Sequence, residues 1–176
     1  MMGSHLCRAL DASDQRAEPE RHWGRMTDYQ SRIVTEADQS GWRVLFDGYA
    51  DFYGVPMDDG TAEQVWAWLL DPGHVLEGLV VCDGGGRIVG LLHVRACPRP
   101  LGGCDIGFID DMYVAPEARG SGAADALMQG ARSLAAERGW PALRWITQYV
   151  KERGRAFYDR YTSGPSDFIM YQWKKV

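Results

Sequence analysis

Arg119-Gly120-Ser121-Gly122-Ala123-Ala124 constrains this chain more than any other stretch. An extended apolar run, Phe108-Ile109-Asp110-Asp111-Met112-Tyr113-Val114, precedes it, with a short Ala115-Pro116-Glu117-Ala118 connection between them. A helical pattern follows from Ser121 to about Arg138. Strand, turn, glycines and helix make a phosphate site from backbone alone, because the first N–H groups of a helix are unpaired and its dipole attracts anions. Glycine lets a bulky pyrophosphate approach the main chain. Two competing motifs do not fit. A P-loop needs Gly-Lys-Ser/Thr, and Gly122 is followed by two alanines. A dinucleotide fingerprint needs a third glycine where Asp125 stands.

The chain has 176 residues, enough for one domain with a substantial core. Residues 1 to 26 are polar and aperiodic. They are expected to be a mobile tail, partly vector-derived at Met1-Met2-Gly3-Ser4-His5, ahead of a domain spanning 27–176. The net charge of −5 argues against nucleic acid or an anionic membrane as partner, and suits a cationic substrate. No apolar run approaches the roughly 18 residues of a membrane span, and the N-terminus lacks a signal-peptide core. A cytoplasmic protein is expected. Cys7, Cys82, Cys97 and Cys104 have no metal spacing, so reduced thiols and no metal are expected; Cys97 and Cys104 flank a turn across which they could meet.

Ile33-Val34 reads as a first strand. Trp42, Leu45, Phe46, Tyr49, Phe52 and Tyr53 recur with helical spacing until Gly54-Val55-Pro56. Thr61, with Gln64 three residues on, is expected to cap a second helix ending at Asp71-Pro72-Gly73. Val75–Cys82 and Ile88–Ala96 read as a hairpin around Asp83-Gly84-Gly85-Gly86-Arg87. Ile106–Val114 and Leu143–Thr147 are further strands. Lys151–Tyr161 reads as a short helix and Phe168–Trp173 as a last strand. The expected fold is mixed α+β, a mostly antiparallel central sheet of six to seven strands flanked by helices.

The segment from Asp111 to Ala124 resembles the acetyl-CoA signature of the GNAT N-acetyltransferases, whose pattern is R/Q-x-x-G-x-G/A after the fourth strand. The resemblance covers roughly residues 30 to 176, and the order of elements agrees with that family's fold. It implies an N-acetyltransferase with acetyl-CoA as cosubstrate. The backbone of Arg119, Gly120, Ser121, Gly122, Ala123 and Ala124 would hold the pyrophosphate. The main chain of Met112, Tyr113 and Val114 would pair with the pantetheine arm where two strands splay apart. Ala156-Phe157-Tyr158 resembles the family's N-x-x-A-x-x-F-Y helix, making Tyr158 the expected acid for the leaving thiolate. The family's Asn, Ala and following Gly are replaced by Lys151, Gly154 and Thr162.

Phe108-Ile109-Asp110-Asp111 is similar to the Phe-Ile-Glu-Asp run of diamine-type members, so Asp110 is the expected base, working through water. Adjacent residues of a strand face opposite ways, so only one of the two acids is expected in the cleft. Tyr49, Tyr53, Asp111 and Trp145 are the expected acceptor contacts. His74 and His93 read as packed or surface residues. The implied reaction is direct acetyl transfer to a primary amine of a small polyamine or amino-acid-like molecule, by a homodimer. A protein or peptide acceptor, or a non-catalytic acyl-CoA-binding module, stays open at this point.

Overall fold

The hairpin around the triple glycine forms as its punctuation predicts. The Asp83 carboxylate accepts from the N–H groups of Gly85 and Arg87, and Asp83 N–H meets the Arg87 carbonyl at 2.9 Å. The computed structural model describes residues 29–173; the expected tail at 1–26 lies outside them. Its elements are β1 (Gln30–Ile33), α1 (Gln39–Tyr53), α2 (Asp59–Leu70), β2 (Leu76–Cys82), β3 (Ile88–Arg99), β4 (Cys104–Val114), α3 (Ala123–Arg138), β5 (Leu143–Trp145) and α4 (Glu152–Tyr158). The chain divides into two units, one running to Trp145 and one from Ile146.

The first unit is a five-stranded sheet in the order β1-β2-β3-β4-β5. All pairs are antiparallel except β4 with β5. The mixed α+β architecture is the expected one, with five strands among the described residues rather than six to seven. Phe168–Trp173 is no strand: it has no regular secondary structure, and Phe168, Ile169, Met170, Tyr171 and Trp173 are all exposed. Its alternating apolar residues have strand propensity, but a strand also needs a partner ladder.

Two layers cover the sheet. On one face Trp42, Leu45 and Phe46 of α1 join Ala62 and Trp66 of α2 over Val80 and Leu91. Trp42 stacks on Phe46 at 4.8 Å. Burying each such side chain contributes about 1.5–3 kcal/mol. The helical face expected for α1 fades toward its end, where Phe52 and Tyr53 are exposed. Thr61 does not cap α2. Asp58 does, accepting from Thr61 N–H at 2.8 Å, because it stands in extended backbone just before the first turn. On the other face α3 buries Ala123, Leu127, Met128, Ala131, Leu134 and Ala135. The three alanines let the helix lie close to β1–β4, which it contacts. No helix among the described residues is long and apolar enough to cross a membrane.

Cys82 and Cys97 are free thiols. Cys97 stands opposite Ile106, and Cys104 opposite Arg99, so Cys97 and Cys104 are not bonded to each other.

One ion pair ties β1 to the start of α1. The Arg32 guanidinium grips Asp38 with bonds of 2.6 and 2.8 Å, and the Thr35 N–H donates to the same carboxylate at 2.8 Å. The hydrogen bond from Arg32 outweighs burial and holds the Asp38 carboxyl down to about 2. A depressed folded-state value means stability that is present above the unfolded-state value and lost as pH falls through the folded one. Asp38→Asn is therefore expected to destabilise the protein by about 2 kcal/mol at neutral pH. Urea unfolding of both proteins should show the gap narrowing as pH falls from 3.8 toward about 2. A gap independent of pH would remove the charge from this account.

Candidate active site

One extra residue shapes the site. In the β3–β4 ladder His93 faces Asp111 while Val94 faces Ile109, leaving Asp110 as an unpaired bulge in β4. A bulge bends its strand and increases the local twist. Pairing between β4 and β5 stops at the same place: Gly107, Phe108 and Ile109 pair with Leu143, Arg144 and Trp145, and β5 ends there. From Asp110 to Val114 the β5 side of β4 is covered by no strand among the described residues. The main chain of Met112, Tyr113 and Val114 lies along this stretch.

The bulge also changes the reading of the two acids. Regular alternation would send them to opposite faces. Instead Asp111 meets His93 (Nδ1 to Oδ2, 2.9 Å) and Asp110 meets Arg95 (Nε to Oδ2, 2.8 Å), two residues apart on one face of β3. Both carboxylates therefore stand on the α1 side. Their ionisation differs. Burial pushes the Asp110 carboxyl above its ordinary value although Arg95 pulls the other way, and neighbouring Asp111 adds to the rise. Burial acts the same way on Asp111, but hydrogen bonds from His93 and Tyr49 outweigh it and the carboxyl lies below its ordinary value. Two acids with environments that push them apart suit two different tasks.

Aromatic rings line the α1 side. Tyr49 meets Tyr53 edge-on at 5.0 Å and Tyr113 at 6.2 Å. Gly48 leaves room for Tyr113, since a Cβ there would lie 2.8 Å from the Tyr113 hydroxyl. The Arg119 guanidinium sits over the rings of Tyr113 (5.4 Å) and Phe52 (5.7 Å), and its Nε donates to the Val114 carbonyl at 3.0 Å. Arg119 thus fastens the glycine turn to the end of β4 and to α1. Asp47 is turned aside by Arg43 at 2.9 Å.

The turn itself has the geometry an anion needs. Gly120 has φ 79° and Gly122 φ 105°, values that side chains other than hydrogen rarely tolerate. Gly122 is the N-cap of α3, and no side chain caps the helix there. The Ser121 hydroxyl turns back to the Ala118 carbonyl at 2.6 Å. The first-turn N–H groups of a 16-residue helix are left for a ligand. A pyrophosphate fits such a cradle, and an extended amide-bearing arm fits the uncovered edge of β4.

Residues 42–162 match the family model described as the acetyltransferase (GNAT) family. The chain belongs to the GNAT acetyltransferase family. A relative in Saccharomyces cerevisiae, the D-amino-acid N-acetyltransferase HPA3, is 27% identical over 146 residues, 80% of this chain and 90% of its own. The fold is shared with a ribosomal-protein-alanine N-acetyltransferase from Brucella melitensis biovar Abortus 2308, at 24% identity and a TM-score of 0.69 over 84% of this chain and 99% of the other. It is shared too with AAC(6')-Iy, solved with the bisubstrate analogue CoA-S-monomethyl-acetylneamine, at 13% identity and a TM-score of 0.72 over 84% and 99%.

In this GNAT acetyltransferase, the structure gathers Tyr49, Asp110, Asp111 and Tyr113 along β4 from the bulge, with Arg119 at the strand's far end. Trp145 stands opposite Ile109, beside the point where pairing ends. Tyr53 is more exposed, held edge-on by Tyr49. Tyr158 is on α4 in the second unit, where it meets Phe157 edge-on at 5.4 Å. Helix α4 is shorter at both ends than the expected Lys151–Tyr161. His93 is packed, as expected, but the sequence did not show its partners. It is 1% exposed and sits between Trp42 and Asp111. His74 is as expected a packed residue, stacked on Trp68 at 5.1 Å.

Proposed function

We propose that this acetyltransferase moves an acetyl group from acetyl-CoA directly to a primary amine of a small polyamine or amino-acid-like molecule. The observation that carries this reading is the bulge at Asp110, which sets two carboxylates of opposite tendency on one face beside the open edge of β4. Acetyl-CoA supplies the activated acetyl group. The glycine turn from Arg119 to Ala124 holds its pyrophosphate, and the main chain from Met112 to Val114 holds its pantetheine arm. Asp111 is the anion that draws in a cationic acceptor, with Tyr49, Tyr53 and Trp145 around it. Asp110, made more basic by burial, takes the ammonium proton through water, which frees the lone pair to attack. The N–C bond forms as the C–S bond breaks; Tyr158 gives its proton to the leaving thiolate, and the second proton lost by the amine nitrogen restores the phenol through solvent. No acyl-enzyme is invoked, since transfer between two held substrates gains from proximity alone.

The acceptor class draws support from the acidic face and from the relative named for D-amino acids. The test follows free thiol release from acetyl-CoA with spermidine, D-phenylalanine, kanamycin and a lysine peptide. Release with spermidine or D-phenylalanine exceeding that with the peptide is expected. Faster turnover of the peptide would replace the acceptor, and binding of acetyl-CoA without any release would replace transfer by sensing. The reading includes a cytoplasmic homodimer, supported by the exposed apolar run Phe168–Trp173; sedimentation of the full chain as a monomer, or fractionation of the native protein outside the cytoplasm, would remove the corresponding part.

A further inference from the structure

The buried imidazole of His93 is a polar group the reaction scheme does not use. Trp42 on α1, 51 residues away in sequence, aims its indole N–H at His93 Nε2 at 2.9 Å. An indole nitrogen only donates, so Nε2 must accept and the ring proton must sit on Nδ1. Nδ1 faces Asp111 at 2.9 Å, and there the N–H donates to a carboxylate that is about three-quarters covered. Phe46 lies edge-on against the same ring at 5.5 Å. The neighbouring charges on the strands are Asp110 and Arg95, which bond each other. A buried histidine packed for its volume alone needs no tautomer. Here a core tryptophan fixes one, and the fixed proton points at a single oxygen of Asp111.

We propose that His93 is a positioning residue for the acceptor: Trp42 locks it as the Nδ1–H tautomer, and it holds the Asp111 carboxylate aimed as the anchor for the acceptor's cationic group. This rests on the reading of Asp111 as an acceptor contact. The chain of bonds runs from the helix core to the bulge, so acceptor affinity depends on how α1 sits against β3. The effect belongs to acceptor binding; the glycine turn lies outside the chain of bonds, so acetyl-CoA binding is untouched.

The test uses the full chain. Nitrogen NMR of the imidazole that disappears in His93→Asn is expected to show Nδ1 protonated and Nε2 bare. A proton on Nε2 would overturn the lock. His93→Leu keeps much of the volume and is expected to raise the KM of the fastest panel amine about tenfold, with kcat falling far less and the KM for acetyl-CoA unchanged. His93→Asn presents an amide N–H near Nδ1 and is expected to recover most of that loss. Equal losses in both variants would reduce His93 to packing. An unchanged acceptor KM in His93→Leu, with a raised one in Asp111→Asn, would sink this proposal alone. An unchanged KM in Asp111→Asn would sink the acceptor reading and this proposal with it, leaving the tautomer a fact of structure. Should the Leu variant not fold, Trp42→Phe removes the donor and keeps an aromatic ring; it is expected to release the Nδ1 preference and raise the acceptor KM, and retention of both values would count against the proposal.

Discussion

Tyr158→Phe is expected to lower kcat by about 100-fold while leaving the Kd for acetyl-CoA within about twofold. The substitution removes one oxygen and keeps the ring that meets Phe157 at 5.4 Å on α4. A phenol suits this task because its ordinary pKa of about 10 is close to that of an alkyl thiol, so proton transfer to the departing sulfur is nearly balanced. Thiol release under saturating donor and acceptor measures kcat, and calorimetry measures Kd. The altered helix pattern, with Lys151, Gly154 and Thr162 at three family positions, makes this variant the sharpest test of whether the acid has moved elsewhere. Unchanged turnover would mean that it has.

The second large effect is expected at Gly122. Its φ of 105° lies where a β-branched side chain is strongly strained, and it caps the helix whose N–H groups form the cradle. Gly122→Val is expected to weaken acetyl-CoA binding by at least about 100-fold, since relieving the strain rotates the donors away from the anion. Thermal melting provides an independent measure. Ligand at about one hundred times its Kd stabilises the wild-type fold by about 2.7 kcal/mol, and that gain should vanish in the variant at the same concentration. Ser121→Ala is the contrast, because the Ser121 hydroxyl is spent on the Ala118 carbonyl and only a modest change is expected. A Gly122→Val protein that still binds acetyl-CoA normally would remove the turn from the site.

The glycine turn was legible because backbone geometry at positive φ leaves a mark on composition: Gly120 and Gly122 are where the chain needs them. The buried stripe of α1 was legible for a similar reason, since Trp42, Leu45 and Phe46 recur at the spacing of one helix face. The bulge was not legible. It is a mismatch between two strands, decided by how β3 and β4 align, and neither strand records it alone. Its consequence, both acids on one face, was hidden with it. His93 was hidden by distance, since its partners lie 18 and 51 residues away and a lone histidine in an apolar strand carries no sign of them. The run at Phe168–Trp173 shows the reverse failure. Local propensity announced a strand, but pairing is a property of two segments.

The unpaired residue in β4 has a consequence for how such a chain can change over generations. Removing the codon for Asp110 would leave every other pair in the β3–β4 ladder aligned, from Cys104–Ile109 on one side and from Asp111–Val114 on the other. The sheet would become more regular, and the protein would be expected to fold. Yet the same event would delete the proposed proton acceptor and the kink beside which β4 parts from β5. Chemistry and access would be lost together, in a molecule that looks intact by every test of folding. A one-residue deletion here is expected to silence activity more completely than most point substitutions can.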